Sequence, residues 1–399
     1  MLDHDPPPAI VMITVDDCGN EFFGCYGEGP PERQPRTDNI DALAARGLRF
    51  DNFYANPICT PTRACMLTGR YASRYNLGAA IEDGRMEFLP GREVCFPELL
   101  ADTWCGHVGK WHLGSHFEAL DPMVQGFRVR AGAALGVNDY FSFDYAVAWK
   151  WAQVWTHQTT YLTTQTTDDA LAVLALAPRP MVLWVAYNAP HDPFHDPPGY
   201  STDGSDIAQY MAMIEYLDQD IGRLLSALDL DHDFVILSAD NGSPRSVAST
   251  SGHKSQVLEG GINVPLIVAG PGVSVGSTGS LASAVDLHTT VVEISGGSSS
   301  AADGRSLVPI LRNPGAEVRD HVYVERFDDR DGDGFCELDL RAARDSRYKL
   351  IWDLDDEAFY NLDRAPPGED GLPLDLDNLT NEQRAAYERL HAIVLARGR

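Results

Sequence analysis

The chain has 399 residues, 44% of them apolar, which is enough for one large buried core with a smaller unit appended. Its 58 acidic and 31 basic residues give a formal net charge of −27. That balance argues against nucleic acid and against a membrane surface as partners, since both reward a positive face. The seven cysteines are odd in number and lack C-x-x-C spacing, so they read mostly as buried apolar fillers rather than a zinc or redox site.

The first residues combine acids and prolines where a signal peptide needs positive charge and an apolar core. As written, the protein is expected in the cytoplasm, or in the periplasm or outside the cell if a leader has been removed. Ala9–Val15 is a short β-branched run ending in Asp16-Asp17, a buried strand with carboxylates at its C-terminal end. Similar runs recur at Trp104–Val108, Met181–Ala186, Phe234–Ser238 and Leu266–Ala269. Helical patterns fall between them at Thr37–Arg46, Thr166–Leu176, Ile207–Leu228 and Asp286–Ile294. Strands alternating with helices predict an α/β fold, a doubly wound, mostly parallel sheet flanked by helices. Ligands of such sheets sit beyond the carboxyl ends of the strands, where Asp16, Asp17, Asp240 and Asn241 are expected. A Gly/Ser/Ala-rich linker at Gly296–Arg305 suggests a division into a catalytic domain, 1–305, and a small C-terminal α+β unit, 306–399. The second unit reads as a smaller antiparallel sheet (His321–Glu325, Tyr348–Trp352, Phe359–Leu362), a loop at Ala365–Asp377 and a terminal helix, Asn381–Ala396.

The strongest local signal is N-P-I-C-T-P-T-R-A-C-M-L-T-G-R, from Asn56 to Arg70. Pro61 suits the first turn of a helix opening just after Cys59, and such an N-terminus turns backbone N–H groups toward an anion. Asp16-Asp17 and Asp240-Asn241-Gly242 together offer four hard oxygen ligands, a set suited to calcium or magnesium. Three more segments stand out: G-H-V-G-K-W-H-L-G (Gly106–Gly114), N-A-P-H-D-P (Asn188–Pro193), and H-K-S-Q-V-L-E-G-G-I-N-V-P from His253. The chain holds four lysines, Lys110, Lys150, Lys254 and Lys349, and two of them fall in these segments. A compact ammonium that can surrender a proton differs from a guanidinium locked in its charge.

These motifs, in this order, resemble those of the formylglycine-dependent sulfatases of the alkaline-phosphatase-like superfamily. The resemblance runs nearly end to end, since Tyr348–Trp352 and Phe359–Asp363 are similar to R-Y-K-L-I and E-L-Y-D-L of that family's C-terminal domain. It implies that Cys59 is oxidised to formylglycine by a formylglycine-generating enzyme and hydrates to a geminal diol. One hydroxyl would attack sulfur and the other would expel sulfate by regenerating the aldehyde, an exit that cysteine or serine lacks. It also implies that Asp16, Asp17, Asp240, Asn241 and the oxygen on residue 59 hold one divalent metal, calcium first and magnesium as the alternative. Arg63 would stand beside the nucleophile, Lys110 on the sulfate, His112 on the diol, His191 near the leaving oxygen, and Lys254 as the last cation. His195 is expected to line the substrate pocket. The departures are Thr62 for the usual serine, Asn263 for an arginine, and His253 for a glycine. The implied activity is hydrolysis of a small-molecule or sugar sulfate ester. A phosphodiester or phosphonate monoester hydrolase of the same superfamily is the alternative, and an inactive metal- or carbohydrate-binding relative the second.

Other features read as bystanders. Asp329-x-Asp331-x-Asp333-Gly334 imitates an EF-hand loop, but its twelfth position is Leu340 rather than glutamate. His107, His116, His157 and His232 lack motif company. The aromatic run Tyr140, Phe141, Phe143, Tyr145, Trp149, Trp151 and Trp155 reads as core or interface, with a sugar platform as the alternative.

Overall fold

The computed structural model describes residues 8–82, 87–114, 122–149, 152–328, 338–354, 356–366 and 368–396. The first twelve strands are β1 (Ala9–Val15), β2 (Leu48–Phe50), β3 (Phe53–Tyr54), β4 (Trp104–Gly109), β5 (Val129–Gly132), β6 (Phe143–Trp149), β7 (Ala152–Gln158), β8 (Met181–Ala186), β9 (Phe234–Ala239), β10 (Leu266–Ala269), β11 (Gly276–Thr278) and β12 (Ala282–Ser283). Ten of them form one sheet in the order β11-β2-β10-β9-β1-β8-β4-β5-β6-β7, and β3 pairs separately with β12. The centre is parallel, while β10 and the β6–β7 hairpin run antiparallel. Every residue of β1, β8, β9 and β10 is buried, as expected of strands covered on both faces.

Helices α1 (Asp38–Arg46), α2 (Cys59–Thr68), α3 (Leu162–Leu176), α4 (Asp206–Leu225), α5 (Glu259–Ile262), α6 (Ala284–Ile294), α7 (Val308–Arg312) and α8 (Asn381–Ala396) complete the chain. α1 and α3 both pack on α4, and α3 lies on β4, β5 and β8, whereas α2 and α6 pack on one another. Among the described residues no helix is long and apolar enough to cross a membrane.

The small antiparallel sheet has four strands, β13 (Val322–Asp328), β14 (Leu338–Arg344), β15 (Tyr348–Asp353) and β16 (Asp356–Asn361), with α8 against β14 and β15. Strand β14 was not anticipated, because L-D-L-R-A-A-R looks polar; Arg341 and Arg344 are nonetheless buried. Part of the stretch read as a linker is tied down, for Asp303 pairs with Arg74 and accepts the Tyr71 N–H at 2.9 Å. Lys150, Trp151, His116, Cys336 and the segment Asp329–Gly334 lie outside the described residues; Leu340 sits in β14.

Register decides what meets at the sheet edge. Thr14 is paired with Ala186, Val15 with Ala239, and Gly109 with Ala186. Parallel β1, β4, β8 and β9 therefore end together, and the residues that follow them, Asp16, Lys110, Tyr187 and Asp240, emerge at one edge.

Candidate active site

Helix α2 delivers Cys59 to this edge and is buried along its whole length. Pro61, in the first turn, loses no hydrogen bond there. Thr62, in place of the usual serine, donates its hydroxyl to the Asn56 carbonyl at 3.1 Å and lies 3.3 Å from that of Ile58, so it ties down the approach to Cys59. The Cys59 sulfur lies 3.1 Å from His112 Nδ1. His112 Nε2 faces the Ile81 carbonyl at 3.0 Å. A carbonyl only accepts, so Nε2 carries the proton and Nδ1 presents its lone pair to residue 59. Burial, with Lys110 and Arg63 adding to it, keeps His112 well below its ordinary pKa and therefore neutral. The ring reaches this place through a left-handed backbone at φ 56°. Burial also pushes the Cys59 thiol up to about 11, against the pull of Lys110 and Lys254. As encoded, it is a protonated thiol and a poor nucleophile at neutral pH.

Around the sulfur stand three carboxylates and three permanent cations. Lys110 grips Asp16, and Lys254 reaches Asp17 Oδ2 at 2.6 Å. Arg63 gives Asp240 Oδ2 two contacts, from Nε at 2.9 Å and Nη2 at 2.8 Å, and lies 3.6 Å from Asp16. Its Nη1 donates to the Lys110 carbonyl at 2.8 Å. Asp16, Asp17, Arg63, Lys110, Asp240 and Asn241 are all fully buried. Burial works to raise Asp16, yet Lys110, His191, Arg63 and Lys254 outweigh it and hold its carboxyl well below the usual range. Burial and then the charge of Asp16 push Asp240 the other way. Lys254, despite burial, is held above its ordinary value by Asp17.

The donor set fits a hard divalent cation. The ligand atoms of Asp16, Cys59 and Asp240 all lie within 4.8 Å of one another, as do those of Asp16, Asp17 and His191. Asp16 Oδ1 and Asn241 Oδ1 are buried oxygens without a hydrogen-bond partner. Buried oxygens in that state are costly unless something positive meets them. Asn241 points its amide nitrogen at Asp17 Oδ1, 2.7 Å away, which leaves its oxygen turned to the cluster.

His191 Nδ1 meets the Asp192 carbonyl at 2.7 Å, so Nε2 is the free edge, 3.7 Å from Asp17. A cavity of about 530 Å³ opens between Lys110, His112 and His191 on one side and residues 133–139 and 142–144 on the other. His195 is not among its lining residues. It meets the Tyr140 ring at a tilt and the Phe141 ring edge-on, and lies 2.9 Å from the Tyr161 hydroxyl, which is a packing arrangement. The aromatic run divides: Tyr140, Phe143 and Tyr145 are buried, and Phe141, Trp149 and Trp155 are exposed along the β6–β7 edge. His107 is buried among Trp111, Phe127 and Trp184, and His157 and His232 lie exposed, paired with Asp144 and Asp229.

Sequence reasoning missed the supports. Tyr210 donates its hydroxyl to the Asp17 carbonyl at 2.6 Å, bracing a residue at φ 64°. Thr60 links the His112 carbonyl (3.0 Å) to the Ile81 N–H (3.1 Å), and Tyr140 donates to the carbonyls of Asn188 and His191. Thr60 sits inside the Cys59 motif and was open to suspicion there; Tyr210, in mid-helix, carried no signal.

The model of one protein family, described as Sulfatase, matches residues 8–297. Human N-acetylgalactosamine-6-sulfatase is 32% identical over 350 residues, 76% of this chain and 66% of that protein. Human arylsulfatase A is 30% identical over 362 residues, 79% of this chain and 70% of the other. This chain thus spans just under two thirds of the first relative's own length. Among solved structures, BT4656 in complex with its substrate D-glucosamine-2-N,6-O-disulfate superimposes with a TM-score of 0.77 at 20% identity, covering 98% of each chain.

Proposed function

We propose that this chain, which belongs to the sulfatase family, hydrolyses sulfate monoesters to an alcohol and inorganic sulfate. One observation carries the reading: residue 59, at the N-terminus of α2, has its side-chain atom within 4.8 Å of ligand atoms of both Asp16 and Asp240. A nucleophile in that position can share a cation with the carboxylates. We infer that Asp16, Asp17, Asp240 and Asn241 hold one divalent cation, calcium before magnesium, and that Cys59 is matured to formylglycine by a generating enzyme. When present, the cation supplies Lewis acidity and two positive charges, and formylglycine supplies an attacking oxygen that the thiol lacks.

The chain's own groups divide the remaining work. His112, neutral and with Nδ1 turned to residue 59, accepts a proton from whatever oxygen attacks there. Arg63 holds Asp240 and the Lys110 carbonyl in place and favours the ionised nucleophile. Lys110, on Asp16, stands ready for the sulfuryl oxygens, whose charge must be met away from water, and Lys254, on Asp17, stands ready with His191 for the departing oxygen. His191, at the cavity, faces the leaving oxygen. Three carboxylates balance three permanent cations, so the cation's two charges are left for a singly charged ester and an ionised nucleophile.

The alcohol lies in the cavity, where Asn138, Asp139, Ser142 and Asp144 offer acceptors to hydroxyl groups. The names of the first relative and of the substrate-bound structure both specify sugar sulfates. We therefore place sulfated sugars beside aryl sulfates as substrates. The test is kinetic and chemical. Protein made with a formylglycine-generating enzyme should show an aldehyde on the Cys59 peptide by mass spectrometry. It should also give a higher kcat/KM for aryl and sugar sulfates than for matched phosphate diesters and phenylphosphonates. A fully active preparation whose Cys59 peptide is entirely cysteine rules out the maturation. Preference for the phosphorus esters moves the assignment to a phosphodiester or phosphonate hydrolase.

A further inference from the structure

The segment that carries Lys254 is knitted into the active site from both sides. The Lys254 N–H donates to the Ser243 carbonyl at 2.8 Å, and the Ser255 N–H to the Pro57 carbonyl at 2.6 Å. The Gly242 N–H donates to the Gly261 carbonyl at 3.0 Å, and the Ala55 N–H to that of Ile262 at 2.9 Å. Asp240-Asn241-Gly242 and the approach to Cys59 thus share one scaffold with Lys254, which has to span from it to Asp17.

Something outside the large sheet fixes that scaffold. Glu259, the first residue of α5 and fully buried in the same segment, receives the Tyr54 hydroxyl at 2.6 Å and Lys349 Nζ at 3.0 Å. Arg344 Nη1 lies 3.6 Å from the same carboxylate and also donates to Tyr54. Lys349 Nζ donates its second bond to Asp370 Oδ1 at 2.7 Å, and Asp370 Oδ2 accepts the Glu259 backbone N–H at 2.6 Å. Lys349, Arg344 and Asp370 all come from the C-terminal part of the chain, on β15, on β14 and beyond β16. Lys349 itself is wholly buried. Arg326 of β13 adds a bond of 2.7 Å to the Ser255 carbonyl. Two acids and two bases close this buried network, which grips the Lys254 segment at Glu259, while Arg326 holds it at Ser255. A rigid support is what a cation needs if its place must hold to a fraction of an ångström.

We propose that Lys349 is a positioning residue for Lys254, so that the small C-terminal sheet sets where the last active-site ammonium stands. The proposal rests on the reading of Lys254 given above. Its test is a double-mutant cycle on the matured enzyme, Lys349→Met against Lys254→Ala, with an alkyl or sugar sulfate as the demanding substrate. Lys349→Met is expected to lower kcat about tenfold to thirtyfold while KM moves less than about threefold, since the damage falls on a group acting in the transition state. In the Lys254→Ala background the same change should cost less than about twofold, because the residue it positions is gone. Lys349→Arg should recover part of the rate. Tyr54→Phe, which takes one hydrogen bond from Glu259 and keeps all four charges, should show the same pattern at smaller size and serves if Lys349→Met does not fold.

A loss that persists undiminished in the Lys254→Ala background overturns the inference, for it marks a general effect on the fold. A Lys254→Ala enzyme as fast as wild type overturns the role of Lys254 itself, and the inference with it. The two failures are distinguished by the single variant alone.

Discussion

Arg63→Met removes the cation that the carboxylate cluster can least replace. The guanidinium is fully buried, donates one hydrogen bond to Asp240 from Nε at 2.9 Å with Nη2 2.8 Å from the same oxygen, and another from Nη1 to the Lys110 carbonyl at 2.8 Å. Without it, Asp240 remains buried next to Asp16, still accepting the Asp17 N–H at 3.1 Å. Breaking one partner of a buried ion pair costs about 3–5 kcal/mol, and the orphaned carbonyl adds about 1 kcal/mol. The sum, about 4–6 kcal/mol, is a large share of a typical folding stability of about 5–15 kcal/mol. Arg63→Lys keeps the charge but not the fork that serves Asp240 and the carbonyl together, and should cost about 1.5–3 kcal/mol. A bound divalent cation stabilises the folded state by mass action and meets the unpaired carboxylate directly, so it should narrow the gap. Urea unfolding in chelator and again with added calcium measures both effects. The expected order of stability in chelator is wild type, Arg63→Lys, Arg63→Met, with the spread reduced by calcium. Arg63→Met within about 1 kcal/mol of wild type in chelator would falsify the account of these charges as mutually dependent.

Two further outcomes follow from the packing. A Cβ on Gly242 would stand 1.9 Å from the Gly260 carbonyl oxygen and 2.9 Å from Gly261 Cα, both backbone atoms. Gly242→Ala should therefore cost about 2–4 kcal/mol through overpacking and the lost bond to Gly261, and should lower kcat more than tenfold by shifting Asn241; thermal melts and steady-state rates check the two parts. Burial above all, with Arg130 and Arg63 adding to it, keeps His107 well below its ordinary 6.5. The unfolded chain takes up that proton as pH falls through 6.5 while the folded one does not. Stability is thus lost below that pH, by up to about 1.4 kcal/mol per pH unit from this group. His107→Phe should remove this component, read as the difference between the two proteins' urea midpoints from pH 7 to 5; parallel curves would count against it.

The parts of the molecule legible in the sequence were those where one local pattern determined one element. Ala9–Val15, Met181–Ala186, Leu266–Ala269 and Asn381–Ala396 have the boundaries read from hydrophobic runs and breakers, because each is a strand buried on both faces or an uninterrupted helix. The β6–β7 hairpin was missed. Its aromatic residues suggested a core or an interface but no strand, and they divide, with Phe143 and Tyr145 buried and Trp149 and Trp155 exposed. Strands of two or three residues, such as β3, β11 and β12, are too short to show a period. Strand β14 buries Arg341 and Arg344 through ion pairs beside the small Ala342 and Ala343, so its hydropathy is that of an exposed segment. In the site, predicted strand ends marked Asp16, Asp17, Asp240 and Asn241, whereas Arg63, Lys110, His112, His191 and Lys254 were marked by the resemblance of their motifs to those of the sulfatases. Their props Tyr210 and Lys349 act from elsewhere in the chain, and only the folded backbone brings them into contact.

The burial of α2 has a consequence for how the protein is made. Cys59 is 1% exposed, and the helix that begins with it is covered from end to end. Under the maturation proposed above, an enzyme that oxidises this side chain would find no approach to it in the folded protein, so the reaction would belong to the interval when the chain is still open. Arg63, on the same helix, meets Asp240 across 177 positions of sequence. At a synthesis rate of about 5–20 residues per second, residues 56–70 precede β9 by about 9–35 s. Under the proposed maturation the spacing of the motifs along the chain would act as a timer, holding the cysteine accessible until the half that seals it has been translated. A circular permutant that began at β9 would be synthesised with the lid before the box, and should leave the ribosome with Cys59 mostly unmodified.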